Sequence, residues 1–317
     1  MRRVLGAAAL GCGIFICAWA GDGSLPASGP LGATTMQRLT ITDAQRVGNR
    51  IVAVGDRGYI VLSDDRGGSW RRAAAPMAPM LTALDFLDAQ QGIAVGHDSV
   101  ILVTRDGGET WTQQFSAPAE QRPLLDVLYV KKDLAIAVGA DGAYYESADG
   151  GKTWAARKVV AGDKHLNSIV ELGEGHMMIF GEEGTILSSP DWGKTWTPQP
   201  APYKGSLFGS VVSADGAVVV FGMRGNIFRS ADKGKSWQKI DNASSAALIG
   251  GEKLPDGSLV LAGAAGTALV SRDNGKSFQP IDTHSTRSLS KPVAGGEASI
   301  LLLGEGGARE IPLAPNP

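Results

Sequence analysis

The chain of 317 residues is long enough for one large domain or two ordinary ones, and with 43% hydrophobic and 20% charged residues it fits neither a disordered nor an integral membrane protein. Thirty basic against 32 acidic residues leave a formal net charge of −2, which excludes a bulk electrostatic drive toward nucleic acid or anionic lipid. Forty-three glycines without a Gly-x-x period exclude collagen and point to a chain full of tight turns, hence to an all-β fold.

Residues 1–20 have the layout of a secretory signal: Arg2 and Arg3, an apolar run from Val4 to Trp19, and the small-x-small ending Ala18-Trp19-Ala20. Cleavage is expected after Ala20; a retained anchor is the rival reading, although the run is short of the roughly 20 residues a spanning helix needs. Both cysteines, Cys12 and Cys17, fall inside this run, so the mature chain would carry no disulfide, zinc thiolate or cysteine nucleophile. No later apolar stretch is long enough to span a bilayer, and the mature protein is therefore read without a membrane span. Residues 21–35 form an N-terminal segment. Within it, somewhere in Leu25 to Met36, a strand is expected that completes the last repeat of the domain described next.

From residue 36 to 313 the sequence repeats. The pattern Ser/Thr-x-Asp-x-Gly-x-Ser/Thr-Trp/Phe occurs six times, with its aspartate and aromatic at Asp65 and Trp70, Asp106 and Trp111, Asp149 and Trp154, Asp191 and Trp196, Asp232 and Trp237, and Asp273 and Phe278. The aspartates are spaced by 41, 43, 42, 41 and 41 residues. In step with them run seven apolar segments ending in glycine (Gly55, Gly96, Gly139, Gly181, Gly222, Gly263, Gly304), each followed by two tip residues and another apolar run. This reads as a hairpin in which the glycine supplies positive φ. A further apolar run precedes each hairpin and the boxed aromatic opens a fourth strand. Four strands in about 41 residues make one propeller blade, and seven such blades nearly exhaust the chain. The expected fold is an all-β, seven-bladed propeller of four-stranded antiparallel blades in a single domain, with residues 314–317 as a tail.

The box superficially resembles a calcium loop, but it lacks the spaced third ligand and the closing glutamate. Its aspartate is better read as an acceptor for turn amides and its aromatic as packing between blades. No metal and no cofactor are expected: His97, His165, His176 and His284 lie on different blades without ligand spacing, and no phosphate loop or dinucleotide fingerprint is present. The combination Gly-x-x-Gly-x-Ile-x-x-Ser/Thr-x-Asp-x-Gly-x-Thr-Trp, as in Gly181 to Trp196, resembles the photosystem II assembly and stability factors and their relatives in non-photosynthetic bacteria. The resemblance covers about residues 36–313. It implies an exported, non-enzymatic propeller, periplasmic or in the thylakoid lumen, that helps assemble a membrane protein complex such as a photosystem or an envelope transporter. That family uses an arginine-rich surface patch.

Strand alternation puts the hairpin tips on the same face as the linkers between blades, with the boxes on the opposite face. Loops over a rigid scaffold carry function, so the linker face is the expected working face. Arg57, Arg71, Arg72, Arg122, Arg224 and Arg287 are the candidate partner contacts there, because a planar guanidinium binds carboxylates and stacks on aromatics. A solvated mixed-charge surface is the plainer reading for any one of them. The alternative function is a sialidase-like glycoside hydrolase or a glycan-binding propeller. It would need arginines, a tyrosine and carboxylates converging on that face. Arg38, Arg122, Arg287 and Tyr203 are the available parts, while the arginine-isoleucine-proline signature is absent.

Overall fold

A computed structural model describes residues 24–25, 29–296 and 298–313; the expected signal, residues 1–20, lies outside the described residues. The chain is a seven-bladed β-propeller and all-β apart from one helical turn, Ala33–Met36, and short 3-10 turns. The second blade runs from the central channel to the rim as Leu81–Phe86, Gly92–Gly96, Ile101–Thr104 and Thr112–Phe115, and blades three to six repeat this order. The second and third strands are buried on both faces, as expected for sheets stacked between neighbours. The inner strands that line the channel are Ile41–Val47, Leu81–Phe86, Leu124–Lys131, Leu166–Glu171, Leu207–Val212, Leu248–Lys253 and Leu289–Ala294.

The repeated glycine works differently from the sequence expectation. Gly55 has an extended backbone, with φ of −176°, and the positive φ falls on the tip residue Arg57 and on Gly58. What excludes a side chain at Gly55 is the carbonyl of Thr40, 2.1 Å from where a Cβ would sit. The same carbonyl accepts the Asp56 amide at 3.0 Å. The arrangement recurs seven times: Gly96 against Met80, Gly139 against Pro123, Gly181 against His165, Gly222 against Ser206, Gly263 against Ala247 and Gly304 against Ser288. Each linker is thereby clamped to the hairpin of the blade it enters.

The box holds the turn between the third and fourth strands. In the first blade Asp65 accepts the Ser69 amide at 2.8 Å and the hydroxyls of Ser63 (2.8 Å) and Ser69 (2.6 Å), while the Ser63 hydroxyl in turn accepts the Gly67 amide. The aromatic packs on the preceding blade: Trp111 lies in one cluster with Val52 and Leu62 of blade one, besides meeting Phe86 of its own blade edge-on at 6.0 Å, Trp196 meets Tyr144 at 6.2 Å, and Trp237 meets Phe180 at 6.1 Å.

The N-terminal segment does not complete the last blade. Pro30–Leu31 pairs with Trp70 and Arg71 on the outer edge of the first blade, which becomes five-stranded, and Ser24–Leu25 pairs with Ala75–Pro76 in the following linker. Among the described residues the seventh blade keeps three strands. The cause is local: the helical turn at Ala33–Met36 reverses the chain before it enters the first inner strand, so the residues ahead of it fall back on the blade that they precede. The ring closes instead through side chains and amides. Met36 and Leu39 pack with Leu301 and Leu303, and the Gly306 and Gly307 amides donate to the Leu39 carbonyl at 3.1 and 3.0 Å. Ile311 and Leu313 pack beside the sixth blade, on the side where the other blades set a boxed aromatic against their predecessor.

Gly181→Ala would drive a methyl to 2.2 Å from the His165 carbonyl, whereas a methyl at Gly32 would meet no heavy atom within 4 Å. Gly181→Ala is expected to destabilise by about 1–3 kcal/mol and Gly32→Ala to be neutral within about 0.5 kcal/mol, as read from urea unfolding midpoints. Equal midpoints would argue against the clamp.

Candidate partner face and channel mouth

Every inner strand begins with a β-bulge, falling between Ile41 and Asp43, Leu81 and Ala83, Leu124 and Asp126, Leu166 and Ser168, Leu207 and Gly209, Leu248 and Gly250, and Leu289 and Lys291. A bulge re-aims the extra residue's side chain. Here the seven extra residues, Thr42, Thr82, Leu125, Asn167, Phe208, Ile249 and Ser290, together line the channel mouth on the linker face, around a cavity of about 500 Å³. Four of them donate to the first residue of the next inner strand: Thr42 to the Leu81 carbonyl (2.7 Å), Thr82 to Leu124 (2.6 Å), Asn167 to Leu207 (2.9 Å) and Ser290 to Ile41 (2.5 Å).

One residue deeper the lining changes character. Asp43 accepts its own strand's Ala44 amide and the next blade's Leu84 amide, both at 2.9 Å; Asp126 accepts Val127 and Ile169, both at 2.8 Å. Asp85 accepts Phe86 at 3.0 Å and Tyr129 at 2.7 Å. Each carboxylate thus ties two adjacent blades together from within the channel. Burial between the inner strands raises Asp85 and Asp126 to about 7, with the Asp43 carboxylate adding to the rise and the two amides opposing it. Lys291 reaches Glu252 at 3.2 Å and Asp43 at 3.7 Å; burial opposes its charge, but the Glu252 and Asp43 carboxylates outweigh that and hold its pKa above the usual lysine value.

The box aspartates are shifted the other way. Hydrogen bonds from the Thr153 and Ser236 hydroxyls and amides hold Asp149 and Asp232 at about 2. Asp65 and Asp191 are lowered by the same contacts, and at Asp106 and Asp273 those contacts outweigh an opposing desolvation.

The six candidate arginines do not form one patch. Arg57 and Arg224 occupy the tips of blades one and five, with left-handed φ of 55° and 58°, and Arg57 is 82% exposed. Arg122 stands in a linker, 3.6 Å from Glu120, at one end of a groove of about 380 Å³ beside the third blade that also holds Tyr145, Arg157 and Lys158. Arg287 lies exposed in the linker to blade seven, against Gly306. Arg71 is not on the linker face. Its guanidinium forms a fork with Glu109 at 2.6 and 2.7 Å and reaches Asp64 at 3.1 Å, and Arg50 closes the same network between blades one and two. It follows the box directly, at the start of the fourth strand, where two acidic box residues meet it. Arg72 lies over the Tyr59 ring at 4.5 Å with its Nε buried.

Of the parts considered for a glycosidase, Tyr203 stacks on Phe228 at 6.0 Å and is a packing residue, while Arg38, Arg122 and Arg287 belong to three different blades. The sequence motifs single out neither the rim residues nor the channel carboxylates. Aligning the seven inner strands on their first residues, Ile41, Leu81, Leu124, Leu166, Leu207, Leu248 and Leu289, would find the rim together with Asp43, Asp126 and Lys291, since one column then reads Thr, Thr, Leu, Asn, Phe, Ile, Ser and the next reads Asp, Ala, Asp, Ser, Gly, Gly, Lys; Asp85 lies two residues farther along its strand.

Residues 113–240, from the outer strand of blade two to that of blade five, match the family model described as photosynthesis system II assembly factor YCF48. No curated protein matches by sequence. Among solved structures, YCF48 bound to a D1 peptide superposes with a TM-score of 0.68 at 20% identity, covering 88% of this chain and 93% of that one. YCF48 from Cyanidioschyzon merolae gives 0.69 at 17%, covering 87% and 96%. The GH74 xyloglucanase from Xanthomonas campestris gives 0.69 at 14%, covering 86% of this chain and 52% of that one. At these identities the structural likenesses establish the propeller fold, and the family match adds the repeat sequence itself.

The opposed carboxylate shifts give a pH profile. Asp85 and Asp126 keep protons in the folded state that an unfolded chain has released, so their contribution to stability falls as pH rises from about 4 to about 7. The box aspartates contribute above about pH 4 and lose that contribution as pH falls toward 2. The melting temperature is therefore expected to peak near pH 4, and Asp85→Asn should flatten the neutral limb while leaving the acid limb in place. A melting temperature that climbs steadily from pH 5 to 8 would contradict this assignment.

Proposed function

Taking as premise that the repeats are those of the photosystem II assembly-factor propellers, we propose that this protein is an exported, non-enzymatic assembly factor that holds a segment of a membrane protein complex on its linker face. The observation that carries the reading is the family match across residues 113–240, which spans three consecutive blades and the outer strand of the one before them rather than an isolated box. A YCF48 structure that contains a D1 peptide supports polypeptide capture as the activity of this kind of propeller. The site of action is the periplasm, or the thylakoid lumen in a photosynthetic organism. Delivery there rests on the signal layout of residues 1–20 and on cleavage after Ala20. No described helix is long and apolar enough to cross a membrane.

The rigid disc fits a scaffold, since a closed ring of clamped blades presents its loops with little loss of entropy on binding. Arg57, Arg122, Arg224 and Arg287 are the arginines left free of the box-side network to meet acidic or aromatic groups of a client. Arg71 acts instead in the seam between the first two blades.

Affinity co-purification of the tagged protein from gently solubilised membranes tests the reading. Wild type is expected to recover one integral membrane complex, and the double reversal Arg122→Glu with Arg224→Glu is expected to reduce recovery about fivefold or more at unchanged melting temperature. Arg71→Ala should lower the melting temperature and leave recovery unchanged in the folded fraction. Recovery of no membrane complex, or undiminished recovery by the double reversal, would overturn the client reading or the chosen face respectively.

A further inference from the structure

The channel mouth is built as a socket with an apolar collar over an acidic floor. At the bulge position Thr42, Thr82, Asn167 and Ser290 turn a polar atom back onto the next blade, whereas Leu125, Phe208 and Ile249 have none to turn. These three apolar side chains come from blades three, five and six. Ile249 is 39% exposed, one of only three large hydrophobic residues so exposed among the described residues. The same seven rim residues also border a second space of about 300 Å³, whose further lining includes Asp43, Asp85, Asp126 and Lys291. One strand residue, about 3.3 Å, separates the collar from Asp43, Asp126 and Lys291.

The charges on the floor are unequal. Lys291 is taken up by Glu252 and Asp43, on one side of the ring. Asp85 and Asp126 each accept two backbone amides, and among the described residues neither has a cation within ion-pair distance. The channel therefore presents more acidic than basic groups beneath an apolar rim.

We propose that the channel mouth receives a lysine side chain presented by a partner polypeptide. A four-carbon stem ending in a compact ammonium matches the sequence of surfaces it would meet: Leu125, Phe208 and Ile249 along the stem, then the carboxylates of Asp126 and Asp43, with Asp85 deeper. A neutral apolar side chain would leave the floor unanswered, and an acidic one would be repelled by it. The collar's volume exceeds what one stem fills, leaving room for the residues that flank the lysine in the partner chain. The socket lies on the face assigned above to the client, but it uses none of the candidate arginines and does not depend on which complex is bound.

Pools of seven-residue peptides with a fixed central lysine, norleucine or glutamine and random flanks, passed over the immobilised intact protein, test the proposal. The lysine pool is expected to be retained at least about tenfold more than the other two. n-Hexylammonium should displace it and n-hexanol should not. Ile249→Lys, an exposed change that supplies a tethered ammonium at the rim, should abolish retention while Ile249→Val preserves it; if Ile249→Lys does not fold, the hexylammonium competition decides. The Arg122→Glu with Arg224→Glu protein should retain the lysine pool as wild type does, which separates this socket from the arginine-dependent client contact. Equal retention of lysine and norleucine pools, no retention of either, displacement by hexanol as effective as by hexylammonium, or full retention by folded Ile249→Lys would each overturn it.

Discussion

The structure depends on one contact repeated around the ring: a carbonyl at the end of each linker pressed against a glycine at the end of the second strand. That carbonyl accepts the amide of the residue after the glycine at 2.8–3.0 Å, and it sits 2.1–2.3 Å from where a side chain would begin. Only a bare backbone permits this approach. Because the linker is held there, the inner strand must enter its sheet one residue out of step, and the bulge that follows points seven side chains into the channel mouth. The channel mouth is in this sense a consequence of how the blades are joined.

Cohesion between blades is divided between two levels. On the outer part of each seam the boxed aromatic lies on the preceding blade, as Trp111 does beside Val52 and Leu62, Trp196 on Tyr144 and Trp237 on Phe180. Along the channel the bulge hydroxyls and the aspartates reach the following blade. A blade is thus tied to one neighbour by apolar packing at its rim and to the other by hydrogen bonds at its centre. The seam between blades six and seven departs from this at the rim, since blade seven has no box, and Ile311 and Leu313 pack there against the sixth blade. The seam between blades seven and one keeps both ties, Trp70 packing with Leu301 and Ser290 donating to Ile41, and Met36, Leu39 and the Leu39 carbonyl add to it.

Carboxylates do opposite things on the two sides of the disc. In the boxes they are solvent-facing, richly hydrogen-bonded and held ionised to low pH. In the channel they are enclosed, and the enclosure raises their pKa although each receives two amides. Both environments contribute: burial in the channel opposes the charged form, while in the boxes Ser and Thr hydroxyls join the amides in stabilising it. The difference leaves the box side as structural reinforcement and the channel as a charged interior open to the linker face. The arginines at the tips and linkers share that face, Arg57 beside Asp56 and Arg122 beside Glu120, so the disc offers guanidinium groups around an acidic central opening.

The repeat, the number of blades, the hairpin in every blade and the position of the boxes are all legible in the unfolded chain, because each rests on local chemistry with a period near 41 residues: apolar runs that alternate with turns, and side chains that satisfy amides only a few residues away. The resemblance to assembly factors is legible there too, since it lies in the same local motif. Other features exist only once distant partners are brought together. That Gly55 and its counterparts answer to a carbonyl 15 or 16 residues upstream, that the segment before Ile41 joins the first blade rather than the last, and that Arg71 belongs to an inter-blade network all depend on contacts made by folding. The channel mouth is hidden for the same reason. Leu125, Phe208 and Ile249 read in sequence as ordinary members of apolar strands, and only a bulge, which no composition signals, turns them out of the core and around one opening.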